Sequence, residues 1–149
     1  MAEAVIRQAR ADELSAVLQL WRGAGVTPPS VSDSIEGLTL LMHVSDAVLP
    51  VATIDYQIVG SVIGGWDGWR GNIYRLAVLP ELRRRGIGKQ LVQEISRVLF
   101  DKGAQRVSAR VEHEHPWAIG FWESMRDLGY YHDPKFVRYI ADRRGRKAQ

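Results

Sequence analysis

Apolar positions recur along the chain at two periods, near 2 and near 3.6, and the switches between them predict the order of elements. Val5–Gln8 is a short first strand. Leu14, Val17, Leu18, Leu20 and Trp21 then share one helical face, with Asp12 as the expected N-cap and Gly23 near the end. A loop over 23–30, stiffened by Pro28 and Pro29, leads to a second predicted helix capped by Ser32 or Asp33, with Ile35, Leu38, Leu41 and Met42 as its buried face. Residues 47–53 and 57–66 read as neighbouring strands joined at Asp55 and Tyr56. Asp67-Gly68 reverses the chain into a strand over 72–78, because Asp-Gly between apolar runs is a strong hairpin signal. Ile87, Leu91, Val92, Ile95, Val98 and Leu99 place a helix from about Gly86 to Lys102, stopped by Gly103. A fifth strand over 106–112 alternates Val107, Ala109 and Val111 with Ser108 and Arg110. Pro116 opens a last helix carrying Trp117, Phe121, Trp122, Met125 and Leu128, and residues 130–131 and 136–140 read as closing strands. The pattern is α+β. The strands ending near Val78 and Glu112, joined through the helix from Gly86, should lie parallel and adjacent.

The junction at Ile73 to Lys89 carries the chemistry. A hydrophobic strand is stopped by Pro80, and Glu81-Leu82-Arg83-Arg84-Arg85-Gly86-Ile87-Gly88-Lys89 then turns into a helix. Glycines admit close backbone approach, and the first amides of a helix, with the positive end of its dipole behind them, suit a pyrophosphate. It is not a Walker A loop, since Gln90 follows Lys89 where a hydroxyl is required. Nor is it a dinucleotide fingerprint, since Leu91 stands where the third glycine would be.

Arg83-x-x-Gly86-x-Gly88 after a hydrophobic strand resembles the acyl-coenzyme A signature of the GCN5-related N-acetyltransferases, the GNAT superfamily. The resemblance runs in order from Val5-Ile-Arg-Gln-Ala9 to Phe121-Trp122-Glu123 and Leu128-Gly129-Tyr130. It implies the GNAT fold, a mixed, mostly antiparallel sheet of six to seven strands with about four helices and a splayed parallel pair. Acetyl-coenzyme A would be the cosubstrate, its pantetheine arm on the strand backbone of Leu76, Ala77 and Val78. Its pyrophosphate would meet the turn of Arg83, Arg84, Arg85, Gly86, Ile87, Gly88 and Lys89. The first two helices would shape the acceptor site, and His115 would neighbour the cofactor. Trp122, counted with the cofactor-binding residues, occupies the place of the family's usual tyrosine acid, and Ser124 to Asp127 lengthen that motif. An indole N–H hydrogen-bonds but is no acid at neutral pH. The hairpin from Gly64 to Gly71 looks like a bacterial subgroup whose substrates are poorly defined.

Composition narrows the chemistry further. The 149 residues suit a single domain, expected over 1–142 with a basic, disordered tail over 143–149. There is no cysteine, so acyl transfer cannot pass through an acyl-cysteine, and direct transfer in a ternary complex is expected. The net charge of +3 is concentrated in the turn and the tail, and neither nucleic acid nor a membrane is an expected partner. The start of the chain has no signal-like or spanning run, which makes a cytoplasmic protein the expectation. Glu112 and His113 are the candidate bases for the amine proton. Tyr130, Tyr131 and Tyr139 are the candidate acids, with Tyr131 grouped with the bases as the catalytic set. His43 and His132 are isolated, and no metal is expected. The expected activity is transfer of an acetyl group to an amine on a small molecule or a protein N-terminus; homodimerisation is left open. A non-catalytic acyl-coenzyme A sensor is the alternative, and a nucleic-acid binder the rival from another class.

Overall fold

The computed structural model describes residues 2–25, 32–113 and 115–143. Pro28, Pro29, Glu114 and residues 144–149 of the basic tail lie outside them. The elements follow the order β1 (Val5–Gln8), α1 (Leu14–Gly23), α2 (Ile35–His43), β2 (Ala47–Val48), β3 (Pro50–Ile54), β4 (Gln57–Trp66), β5 (Gly71–Val78), α3 (Ile87–Asp101), β6 (Val107–Ala109) and α4 (Pro116–Glu123). Short 3-10 turns precede α1 and α3, and another, Ser124–Leu128, prolongs α4. Among the described residues no helix is long and apolar enough to cross a membrane.

The six strands form one sheet in the order β1-β3-β4-β5-β6, with β2 pairing on β4. Every pairing is antiparallel except β5 with β6, the parallel junction expected across the helix from Gly86. Strand alternation sends Val51, Ile63 and Ala77 to one face, where Val17, Leu20, Trp21 and Leu38 cover them. Ala52, Val62, Ile73 and Val78 face the other way, under Leu91, Ile95 and Leu99 of α3. Each fully buried Leu or Ile contributes about 1.5–3 kcal/mol relative to exposure, so these two layers hold the sheet between the helices.

The geometry that matters for function is a split in the sheet. β5 and β6 pair only at Gly71↔Val107, Asn72↔Ser108 and Ile73↔Ala109. Among the described residues, β5 beyond Ile73 has no strand partner on its β6 side. A bulge lies on this stretch: β4 advances from Ser61 to Ile63 while β5 goes from Ala77 to Tyr74, and Arg75 takes φ 52°. A bulge bends its strand and increases local twist, which carries the end of β5 away from β6.

Several local expectations are corrected. Asp12 does not cap α1; Glu13 instead reaches back to the Arg10 amide at 2.8 Å through a preceding 3-10 turn. The α2 cap is Ser34, whose hydroxyl accepts from the Gly37 amide at 3.0 Å, and Ile35 is 44% exposed rather than buried. The strand expected over 106–112 shortens to Val107–Ala109. The closing strands over 130–131 and 136–140 do not form, and Tyr131, Phe136, Val137, Tyr139 and Ile140 are exposed. Strand-favouring residues report side-chain preference alone, whereas a strand also needs an edge to pair with, and β6 is only three residues long.

Candidate active site

After β5 the chain passes through the Pro80–Leu82 turn and reaches Arg83 in an extended conformation (φ −67°, ψ 160°). Arg84 then takes φ 66° and Gly86 φ 81°, both left-handed, before α3 begins at Ile87. Left-handed residues placed this closely turn successive amides toward one side, the arrangement that makes an anion-binding concavity. A Cβ on Gly86 would meet nothing within 4 Å, so glycine is required there by its φ and by the open approach to the helix start.

This turn forms one wall of a cleft of about 530 Å³. Arg84, Gly86 and Lys89 face Trp117, Phe121 and Met125 across it, and Val78 lines it at the end of β5. Gly88 sets the separation of the walls, because a Cβ there would stand 2.7 Å from the Phe121 ring. Trp117 stacks on Phe121 at 5.4 Å, and the Arg83 guanidinium lies 4.2 Å from the Trp117 ring centroid. Arg83 also donates to the Val78 carbonyl at 3.3 Å and to the Ala24 carbonyl at 2.6 Å. Burial lowers its pKa, yet a guanidinium stays charged. The side chain therefore ties the end of β5, the C-terminal carbonyls of α1 and the wall of α4 together.

His115 makes a second tie to the same end of α1. As the N-cap of α4 its Nδ1 accepts from the Ala118 amide at 3.4 Å, while Nε2 lies 2.9 Å from the Gly25 carbonyl. The tautomer with its proton on Nε2 satisfies both contacts. At the other end of the cleft the Lys89 ammonium pairs with Asp127 of the 3-10 turn, which holds that carboxylate below its usual range. The residues that lengthen the motif after Glu123 thus reach across to the first turn of α3.

Of the residues singled out in the sequence, Val78, Arg83, Arg84, Gly86, Ile87, Gly88 and Lys89 all line the cleft. Arg85 is exposed on the turn outside the lining. Leu76 is half-buried on the α3 side, and Ala77 is wholly buried toward α1. Trp122 is half-buried away from the cleft, edge-on to Tyr130 at 5.2 Å and to Phe121 at 5.5 Å. The Tyr130 hydroxyl bonds Ser96 at 2.6 Å, and burial pushes its pKa up against the opposing effect of that bond. Tyr131 and Tyr139 are exposed on the C-terminal segment, and no tyrosine lines the cleft. Glu112 and His113 are exposed beyond the last paired residue of β6, on the splayed side. Among the described residues no group of three metal-ligating side chains stands together. Trp117, Phe121 and Asp127 join the site without having been singled out for it. Phe121 lay in a stretch that carries the family resemblance, and Asp127 in the segment that lengthens it.

The model of the acetyltransferase (GNAT) family matches residues 14–130. The chain is 34% identical over 120 residues to Acetyltransferase ECA0875 of Pectobacterium atrosepticum, covering 80% of this chain and 84% of that protein. It is 32% identical over 120 residues to Acetyltransferase plu1384 of Photorhabdus laumondii, covering 80% and 83%. Its fold matches the structure of AAC(6')-Iy in complex with a bisubstrate analogue, CoA-S-monomethyl-acetylneamine, with a TM-score of 0.75 at 17% identity over 95% of this chain and 99% of that one. With the signature turn, the splayed strand pair and these relatives in view, the chain belongs to the GNAT family and is an acetyl-coenzyme A dependent N-acetyltransferase.

Proposed function

We propose that acetyl-coenzyme A lies in the cleft with its pyrophosphate on the amides of residues 84–89 and its pantetheine arm along the unpaired edge of β5 at Leu76, Ala77 and Val78. The observation that carries this is the pair of left-handed residues, Arg84 and Gly86, opening the start of α3 onto a cleft beside that edge. The residues fit the group: Gly86 leaves the approach clear, and Lys89 and Arg84 supply positive charge at the lining.

The reaction joins the acceptor nitrogen to the acetyl carbonyl carbon, breaks the C–S bond and releases the thiolate of coenzyme A. Holding the amine against the thioester supplies most of the acceleration, up to about 7–11 kcal/mol for a well-oriented pair. An alkyl thiol with pKa near 8.5 leaves as its anion with little help, which suits a cleft that no tyrosine lines. The amine must shed a proton, and Glu112 or His113 on the splayed end of β6 accepts it, directly or through water. The acceptor is a primary amine on a small molecule or a protein N-terminus. The fold shared with aminoglycoside acetyltransferases makes sisomicin a first probe.

Titration calorimetry with acetyl-coenzyme A on the wild type and on Gly86→Val tests the site. Thiol release with sisomicin, spermidine, lysine and a peptide N-terminus tests the activity. Gly86→Val should bind at least about tenfold more weakly while keeping the wild-type circular dichroism. Wild-type affinity in a folded Gly86→Val would place the pyrophosphate elsewhere. Binding without turnover of any amine would favour the acyl-coenzyme A sensor, the alternative that Trp122 supports.

A further inference from the structure

The bulge of β5 carries a second arrangement that the cofactor cleft does not use. Arg75, in its left-handed conformation, donates to Asp33 Oδ2 at 2.6 Å, and the two side chains are only 15% and 12% exposed. Asp33 immediately precedes Ser34, the N-cap of α2. The same guanidinium lies 5.8 Å from the Trp21 ring centroid on α1, and the Trp21 indole donates to Ser61 Oγ at 2.9 Å. Ser61 is fully buried on β4 directly opposite Ala77. One connected set of groups therefore runs from the start of α2, across α1, to the stretch of β5 that has parted from β6.

A half-buried ion pair is a modest source of stability, since the cost of partly desolvating both groups offsets much of their attraction. A strained backbone conformation at a non-glycine residue likewise persists only where its surroundings impose it. What the pair does supply is a fixed distance between two elements that are otherwise remote in the chain. Among the described residues, the strand on one side of this link is the one proposed to carry the acyl donor. The helix on the other belongs to the unit that the family resemblance assigns to the acceptor.

We propose that Arg75 and Asp33 are positioning residues for the acceptor: their ion pair sets the start of α2 against the splayed segment of β5 and so shapes the pocket in which the amine meets the acetyl group. This rests on the proposed placement of acetyl-coenzyme A along β5. Neither residue touches the reacting atoms, and their loss should be felt in acceptor binding more than at the pyrophosphate turn of residues 84–89, which is where most of the cofactor's charge would be held.

The test uses the full chain with Asp33→Asn, Arg75→Met and the double variant. The double variant removes both charges together, so that neither member of the pair is left facing the other's vacancy as a lone half-buried charge. In the double variant, hydrogen exchange of the α2 amides should quicken by about tenfold or more while that of α3 is unchanged, and acetyl-coenzyme A affinity should stay within about twofold of wild type. With sisomicin, spermidine, lysine or a peptide N-terminus as acceptor, kcat/KM should fall about tenfold through the acceptor KM, with kcat and the acetyl-coenzyme A KM little changed. If α2 exchange in the double variant matches wild type, the pair does not position the helix. A KM for acetyl-coenzyme A that rises as much as that of the acceptor would overturn the assignment to the acceptor side. If wild type transfers to none of the four amines, the proposed function is in difficulty, while the exchange measurement still decides whether the pair positions α2.

Discussion

Two glycines of one motif act for different reasons. Gly86 is needed for its φ of 81° and has empty space beside it, whereas Gly88 is needed because Phe121 would stand 2.7 Å from its Cβ. Replacing Gly86 strains the anion turn itself; replacing Gly88 pushes α4 away. Arg83 acts by packing on Trp117 and by donating to carbonyls from two elements. The exposed pair Glu112 and His113, proposed to take the amine proton, lies past the last paired residue of β6. An amine like that of lysine, with pKa near 10.4, is almost wholly protonated at neutral pH, while an α-amine near 7.7–8.0 needs less help. Removing the true base should therefore depress kcat/KM mainly below about pH 8, more for lysine than for a peptide N-terminus, with partial recovery as pH rises. Profiles for Glu112→Ala and His113→Ala that run parallel to wild type on the same amine would mean that the proton leaves by another route.

At the scale of elements, the cleft is a contact between the start of α3 and the α4 unit, which the Ser124–Leu128 turn prolongs. Lys89 and Asp127 span its mouth, and both are substantially exposed. An exposed pair of this kind contributes little to folding, but it occupies the ammonium that an anionic ligand would otherwise engage. Asp127→Asn frees Lys89 and removes a like charge from the approach of the phosphates. Coenzyme A affinity should rise about two- to fivefold at low ionic strength and converge on wild type at about 0.5 M salt. A fall in affinity, measured by calorimetry at both salt concentrations, would show that Asp127 holds Lys89 in place for the ligand instead. The Ser34 cap of α2 and the Glu13 bond before α1 show the same scale at work. Each helix start is completed by the side chain that the turn brings near an orphan amide, and the nearest eligible residue in sequence is not always that one.

For the molecule as a whole, a single sheet is covered on both faces and opened along one seam. One acid-sensitive contact helps hold the entry of the chain: Glu13 accepts from both terminal nitrogens of Arg7 at 2.8 Å and from the Arg10 amide at 2.8 Å, joining β1 to the turn before α1. The Arg7 hydrogen bonds pull the Glu13 pKa from 4.5 down to about 2. A carboxylate whose pKa is depressed on folding stabilises the fold above its unfolded value, and the contribution fades as pH drops from about 4.5 toward 2. Glu13→Gln should cost on the order of 2 kcal/mol at pH 7, and its difference from wild type should shrink toward zero near pH 2, read by denaturant titration across that range. A difference independent of pH would locate the effect in packing.

The chain by itself determined what depends on neighbours in sequence: the period of each segment, the Asp67-Gly68 reversal, and the run from Arg83 to Lys89 as an anion turn before a helix. Those signals are local, so the order of the main elements and the turn that lines the cleft were legible in it. Tertiary structure alone decided what depends on distant partners. Arg83 meets Trp117, Lys89 meets Asp127, Arg75 meets Asp33 and Tyr130 meets Ser96 only because sheet and helices pack as they do. Likewise the aromatic and β-branched residues over 136–140 suggested a strand, but pairing requires an edge in register, which no local pattern supplies, and these residues lie off the sheet. The seam between β5 and β6 has the same origin: where two strands part is set by a bulge and by the helices on either face, forces that act across the fold rather than along the chain.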